Sequence, residues 1–343
     1  MTFQTDTCIA DPIDSASAIS ASDLAHVARI DGERVLRLRP RHADGARHVR
    51  VRFALYGAPA APLLIVQGGI SADRDAAASV HGDGWWSAIV GADRVLDTRR
   101  CSVLSIDWLD RIDLGDARAI DSADQADALA ALLDALGVGQ VHAFVGASYG
   151  AMVGLAFAAR HPRRLNQLVA IAGAHRAHPL STTLRNLQRE IVRLGACCGD
   201  PGAGLDLARR LAMTTYRGER EFAERCADAP VYVDGRYRFA EEAWLRAAGA
   251  KFARRFDAQR FLALSESIDL HSVAPEAVCV PTTLIGISSD RVVPLADMCE
   301  LQRRCGAPAT LHMVDSRYGH DAFLKEPAQI GALLDEALQL RGA

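Results

Sequence analysis

Short apolar runs separated by polar turns recur along the chain. Several of the runs are continuous rather than alternating, which is typical of strands buried on both faces of a sheet. Seven of them predict strands: VRVRFALY, PLLIVQ, CSVLSID, QVHAFVG, LNQLVAIAG, TTLIGIS and ATLHMVDS.

Helical patterns lie between these runs. Residues 121–136 begin with Asp and Ser, repeat Ala and Leu at intervals of three to four, and are followed by Gly137, so they predict a helix with start and stop signals. Residues 151–160 end before a His-Pro pair, and residues 294–304 open with proline in the first turn. Because strand and helix alternate, the sequence predicts an α/β protein with a mostly parallel sheet and helices on both faces.

The alternation stops between residues 175 and 270. This stretch is helical in pattern, with fragments such as STTLRNLQREIVRL and EEAWLRAAGAKFARRF, and the strand pattern resumes only at LIGIS. We therefore expect a core formed by residues 26–174 and 271–343, a helical lid insertion at 175–270, and a mobile N-terminal segment at 1–25.

Composition and charge narrow the possible ligands. The 343 residues are 50% hydrophobic, enough for a large core, and the net charge of −3 gives no reason to expect nucleic-acid binding. Residues 175–270 hold 16 Lys and Arg against 13 Asp and Glu, whereas the remainder is acidic overall. The lid would therefore attract an anionic ligand, unless its arginines only cover solvated helix faces.

The N-terminus and the cysteines bear on localisation. MTFQTDTCIADPIDSASAIS has no basic region followed by an apolar core, and no uninterrupted apolar run approaches 20 residues. The eight cysteines show no paired C-x-x-C metal pattern. We expect a cytoplasmic protein without a metal site and without membrane partners.

The motif GASYG interrupts the apolar run VHAFVGASYGAMVGLAF between a predicted strand and a predicted helix. In that context G-x-S-x-G indicates a strained turn that exposes a nucleophilic serine, here Ser148, with Gly146 and Gly150 leaving room for it. The alternative is a small-residue turn that lets helix and strand pack closely.

A serine hydroxyl needs a base, and the base needs an orienting acid. His320, in the loop SRYGHD, is the candidate base, since His312 falls inside a predicted strand. Asp290 in SSDRVVP is the candidate acid, with Asp315 as the rival closer to His320. Asp290 could also form a turn or cap a helix.

Acyl chemistry also needs two donors for the oxyanion. The backbone N–H of Tyr149 is one candidate. The second is expected from the loop after LLIV, where Gln67 and Gly68, followed by Gly69, allow the backbone to come close. These glycines could also form only a tight turn.

Taken together, the residues resemble the homoserine O-acyltransferases of the MetX type, enzymes of methionine synthesis with an α/β-hydrolase fold. The segments that carry the resemblance, over roughly Leu63 to Leu324, are GWWSAIVGADRVLDT, GASYGAM, GLDLARRLAMTTYRGEREF, WLRAAGAKFARRFD, SSDRVVP and YGHDAFL. Two departures are a missing G-S-T-G-P segment after CSVLSID and Gln67-Gly68 in place of the usual threonine-glycine. Both bear on the shape of the pocket.

The resemblance implies a ping-pong transfer from acyl-CoA, as a cosubstrate rather than a bound cofactor, through an acyl-serine to L-homoserine. It assigns the nucleophile to Ser148, the acid to Asp290 and the base to His320. It further implies that Arg209 binds the substrate carboxylate, that Asp321 contacts the ammonium, and that the lid helices form a homodimer. The alternatives are that Arg209 is an ordinary arginine on the surface of a helix and that Asp321 caps a helix.

The acyl group depends on cations in the lid, because succinyl carries a carboxylate that acetyl lacks. Arg185 and Arg189 are four apart and share one helical face. In the family that this chain resembles, members that use succinyl-CoA tend to have arginine at the position of Arg185. The resemblance therefore implies succinyl as the transferred acyl group. Three other functions fit the same residues: a serine O-acyltransferase, a serine hydrolase, and a binding module that retains the fold without catalysis.

Overall fold

The computed structural model describes residues 29–339 apart from 58–60, 81 and 116–117. The predicted mobile segment at 1–25 lies outside the described residues. Among the described residues, no helix combines the length and the apolar character needed to cross a bilayer.

A mixed sheet runs through the described part of the chain. In chain order the strands of the described residues are β1 (Arg29–Leu38), β2 (Arg47–Tyr56), β3 (Leu63–Gln67), β4 (Val90–Gly91), β5 (Leu96–Asp97), β6 (Ser102–Ile106), β7 (Ala143–Ala147), β8 (Leu168–Ile171), β9 (Val231–Val233), β10 (Arg236–Arg238), β11 (Thr282–Ile287) and β12 (Ala309–Val314). Eight of these strands form the sheet, in the spatial order β1-β2-β6-β3-β7-β8-β11-β12. Its first two pairings are antiparallel, and the strands from β6 to β12 are parallel.

The hydrophobic pattern explains which strands lie inside the sheet. Every residue of β6, β7 and β8 is buried, as the continuous apolar runs predict. The edge strand β1 was not among the predicted strands, because only Leu36 and Leu38 of its ten residues are buried and its sequence therefore lacks a clear apolar face.

Helices cover both faces of the sheet. Phe144 belongs to a core cluster with Leu129 of the helix before β7, whereas its neighbour Val145 packs in a second cluster with Leu334 of the C-terminal helix. The helices of the described residues are α1 (Ser122–Ala135), α2 (Tyr149–Arg160), α3 (Pro179–Cys197), α4 (Pro201–Tyr216), α5 (Glu219–Arg225), α6 (Ala240–Ala253), α7 (Ala258–Leu270), α8 (Leu295–Arg304), α9 (Ala322–Lys325) and α10 (Pro327–Leu338).

Between β8 and β11 the chain forms α3 to α7, and we refer to residues 175–270 as the lid segment. Helix α3 packs on α4, and α4 on α6. The lid segment also contains the β9–β10 hairpin, which the apolar pattern does not predict, since these two strands are three residues each and largely solvent-exposed. At its base, Val273 N–H donates to His175 C=O at 2.9 Å, so the two ends of the segment lie together.

Candidate active site

Ser148 lies at the turn between β7 and α2, where the chain adopts a strained conformation. Its backbone has φ 55° and ψ −118°, a region that non-glycine residues rarely adopt. A Cβ on Gly146 would collide with the Gly150 carbonyl group, so this position needs glycine. The Ser148 N–H donates to Ile171 C=O at 2.8 Å, which ties the turn to the end of β8. The fold therefore holds the serine in its strained position through neighbouring backbone.

His320 and Asp290 form a hydrogen-bonded chain with this serine. Ser148 Oγ lies 2.8 Å from His320 Nε2, and His320 Nδ1 lies 2.7 Å from Asp290 Oδ2. The other oxygen of Asp290 accepts from the N–H groups of Val292 and Val293 at 2.7 and 3.0 Å. Because β7, β11 and β12 are parallel, the loops at their carboxyl ends bring these three side chains to one edge of the sheet.

The two rival residues lie elsewhere. Asp315 is exposed and accepts a hydrogen bond from Ser288 at 2.8 Å rather than from His320. His312 lies within β12, in register with Ile285 of β11. Of the histidines and acids that the sequence offered, Asp290 and His320 are the ones that the structure brings to Ser148.

The electrostatics of His320 suit a general base. Burial alone would lower the pKa of this imidazole, but the charge of Asp290 and its hydrogen bond outweigh burial, so the net pKa is raised above the ordinary value of 6.5. The bond to Asp290 also places the Nδ1 proton, which leaves Nε2 to accept from the serine hydroxyl.

The loop after β3 approaches the serine through glycines. A Cβ on Gly69 would lie 3.9 Å from Ser148 Oγ, whereas the Gly68 C=O accepts from Gly150 N–H at 2.8 Å. The Gln67 side chain points elsewhere: its oxygen accepts from Ile106 N–H at 2.9 Å, which holds β3 to β6. Gly69, the residue after Gly68 in this loop, is thus brought close to the serine.

Tyr149 opens helix α2, so its N–H has no acceptor within the helix. This N–H belongs to the residue after Ser148 and is available at the same end of the helix. The Tyr149 side chain points away from that end into the interior, where its hydroxyl lies 2.5 Å from Ser267 Oγ of α7. The residue therefore links the serine turn to the lid segment.

Arg209 of α4 lines a cavity of about 680 Å³ between the lid segment and the loop after β3, which contributes Asp73, Asp75 and Asp83 to the lining. Its guanidinium lies over the rings of Tyr216 and Phe252, with its central carbon 5.2 and 4.9 Å from the ring centroids. Among the described residues no carboxylate forms an ion pair with Arg209. A cation on aromatic faces without a counter-ion is suited to receive a ligand carboxylate.

Tyr216 is a further residue of the candidate site, beside the candidate base His320. Its ring lies 5.7 Å from that of His320, centroid to centroid, and its burial raises the pKa of the phenol. Tyr216 follows Arg209 by seven residues, two helical turns, so both lie on one face of α4. This seven-residue spacing is the feature of the sequence that could have indicated that Tyr216 lies on the same face as Arg209.

Asp321 and Arg185 both act electrostatically on His320. The Asp321 carboxylate raises the pKa of the imidazole and the Arg185 guanidinium lowers it, each less than Asp290 does. Asp321 lies 3.0 Å from Arg217 Nε. Arg185 is 7% exposed and bonds to Asp269 at 2.7 Å, a carboxylate that Arg189 shares at 2.6 Å.

One group of side chains has the composition of a metal site. Ligand atoms of His42, Asp121 and Asp124 lie within 4.8 Å of one another. However, Asp121 accepts from the N–H groups of Ala123 and Asp124 as the cap of α1 and pairs with Arg41 at 2.6 Å, while Asp124 accepts from Asp121 N–H. Helix capping accounts for this cluster.

Known proteins resemble this chain in sequence and in fold. A sequence profile described as the alpha/beta hydrolase fold matches residues 61–327. A homoserine O-succinyltransferase of Xanthomonas campestris pv. campestris is 47% identical over 97% of this chain and 90% of its own length. A homoserine O-acetyltransferase of a Mycobacterium species is 32% identical over 75% of this chain and 79% of its own. Among solved structures, esterase E22 has a TM-score of 0.80, with 17% identity over 91% of this chain and 100% of that one, a likeness of fold.

Proposed function

Since this chain belongs to the homoserine O-acyltransferases, within the α/β-hydrolase fold family, we propose that it transfers an acyl group from acyl-CoA to the hydroxyl of L-homoserine. The observation that carries the proposal is the 47% identity to a homoserine O-succinyltransferase, which extends over 97% of the chain. Synthesis of a homoserine ester on the way to methionine, in the cytoplasm, is the role that this activity would serve.

In the first half-reaction Ser148 is the proposed nucleophile. His320 Nε2, 2.8 Å from the hydroxyl, accepts its proton as Oγ attacks the thioester carbonyl carbon. The proposed donors to the oxyanion are the Tyr149 N–H and the loop of Gln67 and Gly68. Gly69, the next residue of that loop, borders the serine, since a Cβ there would lie 3.9 Å from Ser148 Oγ. The C–S bond breaks, CoA leaves as a thiol with the proton from His320, and an acyl-serine ester remains.

In the second half-reaction the homoserine hydroxyl attacks this ester. His320 takes the hydroxyl proton and returns it to Ser148 Oγ as the ester bond to the enzyme breaks. Arg209 is the proposed site of the homoserine carboxylate and Asp321 that of its ammonium. Asp290, bonded to His320 at 2.7 Å, stabilises the imidazolium in both steps.

Arg185 is the proposed determinant of a succinyl group. Arg185 and Arg189 share the single carboxylate of Asp269, so these three buried side chains carry one surplus positive charge. An unbalanced buried cation is costly unless an anion approaches it, and the terminal carboxylate of succinyl would supply one.

A substitution separates the two donors. R185Q should lower kcat/KM roughly 10- to 50-fold with succinyl-CoA and less than about threefold with acetyl-CoA, because only succinyl gains from the charge. R193Q, at an exposed arginine two turns later on α3, is the control. Equal losses with both donors would remove Arg185 as a specificity residue.

The central experiment measures CoA release and ester formation with succinyl-CoA or acetyl-CoA, each with homoserine, with serine or with no acceptor. Acyl transfer to homoserine is expected. Transfer to serine instead would identify a serine O-acyltransferase. Equal CoA release without an amino acid would favour a hydrolase. This alternative is kept because esterase E22 has a similar fold.

We extend the proposal to a homodimer through the lid helices. Leu187 and Leu194 of α3 are 46% and 66% exposed, and Leu207 of α4 is 51% exposed. Leu187 and Leu194 are seven residues apart and share a helix face. L194E should convert a dimer into a monomer in sedimentation equilibrium, whereas I112E, at an exposed position outside the lid segment, should leave the dimer intact. A monomeric wild-type protein would contradict the proposal.

A further inference from the structure

Arg217, between α4 and α5, lies at the centre of a buried chain of alternating charges. Its Nη1 donates to both oxygens of Glu221, at 3.1 and 3.2 Å, and its Nε lies 3.0 Å from Asp321 Oδ2. Arg225 donates to the same Glu221 at 2.9 Å. The Glu221 side chain is 2% exposed and those of Arg217 and Asp321 are 14% and 12% exposed. One guanidinium therefore bridges two carboxylates, one of them beside His320.

The contact between Arg217 and Asp321 is an ion pair without an aligned hydrogen bond. Arg217 Nε is buried and has no hydrogen-bond acceptor in favourable geometry among the described residues. Within the same part of the chain, neither oxygen of Asp321 accepts a hydrogen bond from another residue. Asp321 is thus held by charge while its hydrogen-bonding capacity stays open, as a carboxylate that receives an ammonium group requires.

The backbone makes this arrangement rigid. Gly319, one residue before His320, has φ 60°, and a Cβ there would lie 2.8 Å from both Gly218 N and Tyr216 O. The segment that carries Arg217 and the loop that carries Asp321 are therefore in direct backbone contact. The backbone that carries either side chain therefore cannot shift far without displacing the other segment.

Arg217 also lines the cavity that contains Arg209. A positive charge there would repel a substrate ammonium if it were not balanced. Glu221 accepts from Arg217 through both oxygens and also from Arg225, so the four side chains carry no net charge, and Asp321 offers an ammonium group its unfilled hydrogen-bond acceptors. Arg217 thus fixes the position of Asp321, while Glu221 draws the other side of the guanidinium away from it.

From these contacts we infer that Arg217 is a positioning residue for the acceptor substrate: it orients Asp321 to bind the ammonium group and so determines the preference for an amino-acid acceptor. The inference rests on the proposed acyltransferase function. It assigns to Arg217 no role in the first half-reaction, because Arg217 contacts neither Ser148 nor Asp290.

The test compares homoserine with 4-hydroxybutanoate, which has the same hydroxyl and carboxylate but no ammonium. R217Q should raise KM for homoserine at least tenfold with a smaller change in kcat, and should change kcat/KM for 4-hydroxybutanoate less than threefold. R217K, which keeps the charge but cannot span both carboxylates, should recover only part of the loss. R220Q, at an exposed arginine of α5 outside this chain of charges, should stay within about twofold of wild type.

Two further readouts separate positioning from a structural role. D321N and R217Q should be non-additive for homoserine, because both act on one contact. The rate at which a serine-reactive phosphonate labels Ser148 should be unchanged in R217Q and R217K. Equal losses with both acceptors, an unchanged KM for homoserine, or a parallel fall in labelling would each overturn the inference. A wild-type protein that acylates no amino acid would instead remove the proposed function, and the inference with it.

Discussion

Two polar side chains of the sheet core, Ser148 and Asp290, and two arginines of the lid segment, Arg185 and Arg217, are held in different ways. In the core, backbone groups fix them: Ser148 is tied through its N–H to β8, and Asp290 accepts from two N–H groups of its own loop. In the lid segment, ion pairs between side chains fix them, as with Arg185 and Asp269 or Arg217 and Glu221.

From this difference we infer that the core carries out the reaction and that the lid segment determines which substrates are used. The positions of the strand ends are fixed by the sheet, because moving them would break the strand pairing. A nucleophile and a base at these ends therefore keep one geometry, which suits many acyl-transfer reactions. Side-chain ion pairs can be replaced one residue at a time, so the lid segment is where a preference for one acyl group or one acceptor can be set. Substitutions in the core should therefore abolish turnover, and those in the lid segment should change which substrates are used.

The largest effect is expected in the core at Ser148. S148A should lower kcat by roughly 10⁵-fold or more, since no acyl-enzyme can form, and it should abolish labelling by a serine-reactive phosphonate. S288A removes another serine hydroxyl, which bonds to Asp315 outside the triad, and should keep nearly full activity. Wild-type turnover in S148A would refute the nucleophile assignment.

The next largest effect is expected at Asp290. D290N should lower kcat about 10³- to 10⁴-fold, because the asparagine no longer stabilises the imidazolium. Wild-type kcat/KM should fall as the pH drops through a pKa above 6.5, since the proton that His320 gains blocks it as a base. Without the carboxylate, burial dominates and the pKa of His320 decreases, so the acidic limb of D290N should move to lower pH.

The control for Asp290 is the rival acid of the same strand-end loops. D315N should retain both the rate and the position of the acidic limb, because Asp315 is exposed and bonds to Ser288. A rate loss in D315N as large as that in D290N would show that hydrogen-bond distance alone misidentifies the orienting acid.

A smaller and more selective effect is expected in the lid segment at Arg209. R209Q should raise KM for homoserine roughly 30- to 100-fold, because a charged hydrogen bond to the carboxylate is lost. Labelling of Ser148 should not change. R210Q is a matched control, since Arg210 is adjacent in sequence and pairs with Asp206 on its own helix. If both variants lose the same affinity, general lid charge rather than a specific site explains it.

The same contrast explains what the sequence could predict. Ser148, Asp290 and His320 could be proposed because the ends of parallel strands must meet at one edge, and because G-x-S-x-G is informative between a strand and a helix. The spacing of Tyr216 from Arg209 indicated a shared helix face but not the contact of Tyr216 with His320. Arg217 could not be assigned a role, because its importance arises from contacts with a loop a hundred residues away. The β9–β10 hairpin was missed for the same kind of reason, since exposed short strands bury no apolar face that a pattern would reveal.

The smallest effect is expected where the two regions meet, at the hydrogen bond between Tyr149 and Ser267. S267A leaves the buried tyrosine hydroxyl without this partner and should lower the free energy of unfolding by about 1 to 3 kcal/mol, measured by urea denaturation. Y149F/S267A removes both polar groups and should recover much of that loss. Turnover in both variants should stay within about tenfold of wild type, because the serine turn is fixed by its bond to Ile171 and the Tyr149 N–H belongs to the backbone. A large loss of kcat in S267A with unchanged stability would mean that the lid segment controls the serine turn directly. In that case catalysis would depend on the lid segment as well as on the core.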